Sequence, residues 1–195
     1  METGEVKDTQ SLTAAIAGVL LYGSGCNDAI FFCETHRAVT AADETRLAEI
    51  VELAGASVTS AERALETLSQ GRAFAETTST AWRSPTLARL LADIDRPIAY
   101  PVAVAIAAAE HKIALKPALA AYLHAFAANL VSAGVRLIPL GHTAGQVTLT
   151  RLEDPVAQAV AVGLNAGLDD IGGAAFLMDM AAMKHETQYS RLFRS

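Results

Sequence analysis

The residues His185-Glu186-Thr187-Gln188-Tyr189 begin like the helix of a zinc protease, in which two histidines four positions apart hold the metal and the glutamate activates water. Here the fifth position is Tyr, so the second imidazole is missing and the metal site is incomplete. His36, His111, His124 and His142 stand singly, without the i, i+4 spacing or nearby cysteines that gather ligands locally. Cys26 and Cys33, the only two cysteines, are seven positions apart and read as small apolar packing groups. There is no Gly-x-x-x-x-Gly-Lys-Ser/Thr loop for nucleotide phosphates and no Gly-x-Gly-x-x-Gly turn after a strand. The chain therefore offers no catalytic constellation, no cofactor site and no metal site of its own. A hydrolase or metalloenzyme built on His185 and Glu186 survives only as a competing reading, and it requires the isolated chain to hold stoichiometric zinc or nickel.

Two other groupings suit contact better than catalysis. Asn129, Ser132 and Arg136 follow one another at three- and four-residue steps, one polar stripe in a segment otherwise filled by Leu130, Val131, Val135, Leu137 and Ile138. A buried guanidinium without partners would cost several kcal/mol, so the stripe either belongs to a buried hydrogen-bond network or faces another protein. The second grouping is the end of the chain. Lys184 to Ser195 carries three basic residues and one acidic, a net +2 against −8 for the rest of a chain whose formal charge is −6. Tyr189, Leu192 and Phe193 sit among these charges. Aromatic, aliphatic and arginine side chains together are typical interface anchors, and chain ends otherwise fray. The competing reading is that this tail folds back on its own core.

These residues need a scaffold, and composition supplies one. Of 195 residues, 52% are hydrophobic and 6% aromatic, with Ala, Leu and Val dominant, which favours helix interfaces over sheets. Ser/Thr, Gly and Pro punctuate segments of helical periodicity. These segments run from Leu12 to Leu21 and from Ala29 to Ala38, from a Thr40 cap to Leu53, and from a Thr59-Ser60-Ala61-Glu62 capping box to Trp82. Others run from Ser84-Pro85 to Ile94, from Pro101 to Lys112 and from Lys116-Pro117 to Pro139. A Thr143-x-x-Gln146 box opens a helix to Asn165, and a last helix spans Ala174 to Lys184. Leu119, Tyr122, Leu123, Phe126 and Leu130 form the core face of the longest helix. The expectation is an all-α, single-domain bundle of about seven to nine helices: a polar leader over 1–10, a helical domain over 11–184, and a partner-binding tail over 185–195.

A negative surface repels phosphate backbones, so nucleic acid is not an expected partner. The longest apolar run, Ile98 to Ala109, has 12 residues against the roughly 20 a membrane span needs, and no secretory signal opens the chain, so a cytoplasmic protein is expected.

The string His185 to Ser195 resembles the C-terminal signature of the UreF family of urease accessory proteins. So does Asn129-Leu-Val-Ser-Ala-Gly-Val-Arg136-Leu-Ile-Pro139-Leu-Gly141 with Thr143 and Gly145-Gln146. Weaker matches are Tyr100-Pro101-Val102-Ala103, Ala107 to Glu110, Ser69-Gln70-Gly71-Arg72 and His36-Arg37-Ala38. The resemblance implies a non-enzymatic chaperone-like scaffold, dimeric and all-helical. It would bind UreD (UreH in some systems) and recruit the GTPase UreG for nickel insertion into apo-urease. Nickel and GTP would be handled by those partners, with no cofactor on this chain. The resemblance assigns His185, Glu186, Gln188, Tyr189, Arg191, Leu192, Phe193 and Arg194 to the UreD/UreH side, and Arg136, Asn129 and Gln146 to the UreG side. The chain departs from the family in lacking an apolar helix with a Pro-x-Gly-Gly-Phe-type motif ahead of Leu12, so it looks N-terminally short, and in having His142 and Ala144 where Gln and Asp are common. The alternative is a helical interaction or regulatory protein without a urease role, possibly a truncated UreF-like product.

Overall fold

The computed structural model describes residues 6–58, 61–93 and 96–172. Among these, nine α-helices and one 3₁₀ turn form and no strand does, as the Ala- and Leu-rich periodicity predicts. Val147 to Thr150, the one stretch with strand-like composition, is helical.

The helices are α1 (Thr9–Tyr22), α2 (Ser24–Thr40), α3 (Glu44–Ala56), α4 (Ala61–Ala81), α5 (Pro85–Leu91), α6 (Tyr100–Glu110), α7 (Leu115–Leu137), α8 (His142–Arg151) and α9 (Glu153–Asn165). The expected capping box at Thr59 and the expected last helix at Ala174 to Lys184 lie outside the described residues.

Several boundaries differ from expectation for identifiable reasons. Helix α1 starts at Thr9, ahead of Leu12. Asp8 accepts the Ser11 amide at 2.8 Å while Ser11 Oγ accepts the Asp8 amide at 3.1 Å, a reciprocal cap. The Gly23-Ser24-Gly25 break narrows to Gly23 alone, which caps α1 through its N–H to the Val19 carbonyl. Thr40 does not cap α3. It ends α2 with its hydroxyl donating to the His36 carbonyl at 2.8 Å, and Asp43 caps α3 by accepting the Arg46 amide at 2.9 Å.

The single helix expected over 143–165 is two, joined at Leu152. Pro155 has no N–H to give the preceding turn, and its ring clashes with a continuous helix but is accepted in a first turn. The Thr143 capping box does not form, because α8 has already begun at His142 behind Gly141.

The described chain divides into two compact units. The first comprises residues 6–30 and 119–172. Here α1 packs on α8 and α9 and buries Leu12, Ile16, Val19 and Leu20, alongside Val131 of α7 and Val156 and Val160 of α9. Burying each such side chain contributes about 1.5–3 kcal/mol. The Tyr122 hydroxyl, on a buried ring, donates to Asp28 at 2.8 Å and pins α7 to the start of α2.

The second unit, residues 31–118, is built on α4 packed against α5 and α6. Helix α6 is apolar nearly all round, with Val102, Ala103, Ala105 and Ile106 wholly buried. A Cβ on Gly71 of α4 would lie 1.9 Å from the Ile98 carbonyl oxygen, so only Gly permits this approach of α4 to the chain entering α6. The Phe74 and Tyr100 rings meet edge to face at 5.8 Å. Glu110 accepts from the Ser84 hydroxyl and, at 2.9 Å, from the Thr86 amide, tying the end of α6 to the start of α5. Glu34 accepts from Arg37 at 2.7 Å and Arg46 at 3.0 Å, joining α2 to α3.

Candidate interaction site

Helix α7 is 23 residues long and, by length and composition alone, apolar enough to cross a membrane. Its two faces give it a different role. Leu119, Tyr122, Leu123, Ala127 and Val131 are buried in protein, Phe126 and Leu130 are half-buried, and His124, Asn129, Ser132 and Arg136 are exposed.

The exposed stripe removes one of the two sequence readings. Asn129, Ser132 and Arg136 do not belong to a buried network: all three lie on the surface, and Arg136 Nε donates to the Ser132 carbonyl at 3.2 Å within its own helix. A guanidinium held along the last turn of α7 also favours the negative end of the helix dipole.

Gly145 extends this surface onto α8. It is buried against α7, and a Cβ there would lie 3.0 Å from Val135 Cγ2 and 3.6 Å from Val131 Cγ1. Gln146, at the next position, is exposed. Sequence reasoning did not mark Leu137, at 38% exposure, or Val147, at 40%, as exposed. Their only signal was adjacency to Arg136 and Gln146. The exposed groups of α7 and α8 thus include a guanidinium, two amides and two aliphatic side chains, residue types that suit protein contact.

The tail residues His185, Glu186, Gln188, Tyr189, Arg191, Leu192, Phe193 and Arg194 lie outside the described residues. What is described is the chain that leads to them. Gly172, the last described residue, donates its amide to Asn27 Oδ1 at 3.1 Å.

The remaining chemistry-bearing side chains are occupied by structure. His36 is buried, and its Nε2 donates to the Ile113 carbonyl at 2.8 Å. His111, His124 and His142 are exposed, and among the described residues no three His, Cys, Asp or Glu converge as a metal site. Both cysteines are free. Cys33 is wholly buried, and burial pushes its thiol up to about 11, so it is inert at neutral pH. Burial also raises the half-buried Cys26 thiol.

A groove of about 570 Å³ in the second unit lies where α2 and α6 end in left-handed residues, Ala42 at φ 55° and Lys112 at φ 58°. Four of its polar groups are engaged within the fold. Asp43 caps α3, Glu44 pairs with Arg89, Glu110 holds α5, and His36 holds Ile113.

Comparison with known proteins places this architecture. A family model described as UreF matches residues 6–153. A urease accessory protein UreF of Rhodopseudomonas palustris (strain HaA2) is 46% identical over 195 residues, covering 100% of this chain and 82% of the relative. A protein of the same description from Bradyrhizobium diazoefficiens is 48% identical, covering 100% of this chain and 81% of the relative. Another, from Bradyrhizobium sp. (strain BTAi1), is 49% identical over 196 residues, again with 100% and 81% covered. With identity close to one half along the whole chain, and a family model that takes in both the α4–α6 packing and the α7–α8 surface, the chain belongs to the UreF family.

Proposed function

We propose that this chain is a non-enzymatic scaffold of urease maturation that works by docking. The segment His185 to Arg194 binds UreD/UreH, the surface of Asn129, Arg136 and Gln146 meets UreG, and the assembly presents apo-urease with nickel. Nickel is the cargo and GTP the fuel, both handled by partners, and the chain works as a cytoplasmic homodimer. The observation that supports this reading is the exposed α7–α8 surface. Arg136, Asn129 and Gln146 are exposed, as are Leu137 and Val147, so α7 and α8 present charged, amide and aliphatic groups of the kinds found at protein interfaces.

The test is co-purification of the full chain with UreD/UreH and UreG. Arg136→Ala is expected to lose UreG and keep UreD/UreH. The double substitution Phe193→Ala, Arg194→Ala is expected to lose UreD/UreH. Retention of UreG by the Arg136 variant would remove the assignment of the α7–α8 surface, and retention of UreD/UreH by the tail variant would remove that of the tail.

A further inference from the structure

After α9 the chain does not simply trail away. Ala166 donates its amide to Val162 at 2.9 Å, continuing the helical pattern by one bond. A single 3₁₀ turn, Leu168–Asp170, follows. It is closed on itself: Gly167 donates its amide to Asp170 Oδ2 at 2.9 Å, and the Asp170 amide donates back to the Gly167 carbonyl at 3.0 Å. Ile171 donates to the Leu168 carbonyl at 3.3 Å, and Gly172 then donates to Asn27 Oδ1 at 3.1 Å, across 145 positions of sequence.

The post that receives this last bond is firm. Asn27 lies in the first turns of α2, and its neighbour Asp28 accepts the buried Tyr122 hydroxyl. Gly172 has no side chain with which to pack, and this bond ties its backbone to α2.

We propose that Asn27 is a positioning residue for the C-terminal docking segment: by latching Gly172 to the start of α2, it fixes the backbone at the last residue before that part of the chain. This inference rests on the reading of His185 to Arg194 as a partner-binding segment. Holding Gly172 before docking removes its own backbone rotations from what docking must freeze. Releasing Gly172 returns that cost to the docking step, and the affinity falls accordingly. The contact is invisible in sequence, because a lone Asn early in a helix and a Gly near a chain end each have ordinary local explanations.

The test uses the full chain with purified UreD/UreH. Binding is measured for wild type, Asn27→Ala, Asn27→Asp and the tail variant Phe193→Ala, Arg194→Ala, together with hydrogen exchange at Ile171 and Gly172. Asn27→Ala is expected to speed exchange at Gly172 and to weaken binding about threefold to tenfold, the range of one lost hydrogen bond. Asn27→Asp keeps the acceptor oxygen and is expected to preserve both. The latch is overturned if Asn27→Ala binds within about twofold of wild type while the tail variant does not bind, or if Gly172 exchange is unmoved. If the tail variant binds like wild type, the docking reading itself has failed, and the latch falls with it on that separate arm.

Discussion

Helices α6 and α7 are both made largely of alanine and branched aliphatics, yet the protein uses them in opposite ways. Seven of the eleven residues of α6 are buried, and its polar residue Glu110 works inside the fold as an acceptor for α5. Helix α7 buries six of twenty-three, and the polar residues of its second half point outward. The difference follows from surroundings more than composition. Alanines on α6 let α4 and α5 approach closely, whereas α7 meets α8 through Gly145 and leaves its other face uncovered. A residue on α6 is therefore expected to matter to stability, and one on the outer face of α7 to binding alone.

The strongest way to break the first half of that contrast is Gly71→Ala. A methyl group placed 1.9 Å from a carbonyl oxygen forces the backbone of α4 or of the α6 entry to move, at a cost of about 3 kcal/mol or more. Urea denaturation followed by circular dichroism should show a markedly lower midpoint, and a loss below 1 kcal/mol would mean that the α4–α6 packing is looser than described.

A smaller effect is expected from Cys33, buried in the second unit. Its folded thiol titrates near 11 against an ordinary value of 9.0, so the neutral form is favoured by the fold. The resulting stability is complete below pH 9 and is lost as pH rises through 11, by about 2 kcal/mol at that pH. Stability measured from pH 8 to 11 should show this slope in wild type and lack it in Cys33→Ala. Equal slopes in both proteins would place the thiol in contact with water.

The smallest effect on stability should come from Arg136→Ala. Arg136 Nε bonds a carbonyl of its own helix in an exposed setting, so the stability change should stay within about 0.5 kcal/mol while UreG co-purification is lost. A loss above 1 kcal/mol would move Arg136 from the binding half of the contrast to the folding half.

Much of this was legible in the residues. Pro85, Pro101 and Pro117 each lie within the first turn of a helix, and the 3.6-residue rhythm of Leu119, Tyr122 and Leu123 marked a buried face. Where reading failed, two local signals competed. Thr40 and Asp43 can both cap a helix, and only the course of the chain after α2 decides between them. Thr143 with Gln146 has the spacing of a capping box, but Gly141 starts the helix first. The α7 stripe was seen, but its exposure was not, because a guanidinium among aliphatics suits either a buried network or a surface until the neighbouring helix is placed.

The order of helix-forming segments, the all-α class and the polar stripe were thus determined by sequence alone, because propensity, periodicity and prolines act within one turn of the chain. Tertiary structure decided that the stripe faces outward with Leu137 and Val147, that Gly71 admits the Ile98 carbonyl, and that Gly172 is held by Asn27. Each of these depends on which surfaces meet across tens of residues, and no local pattern of residues encodes that.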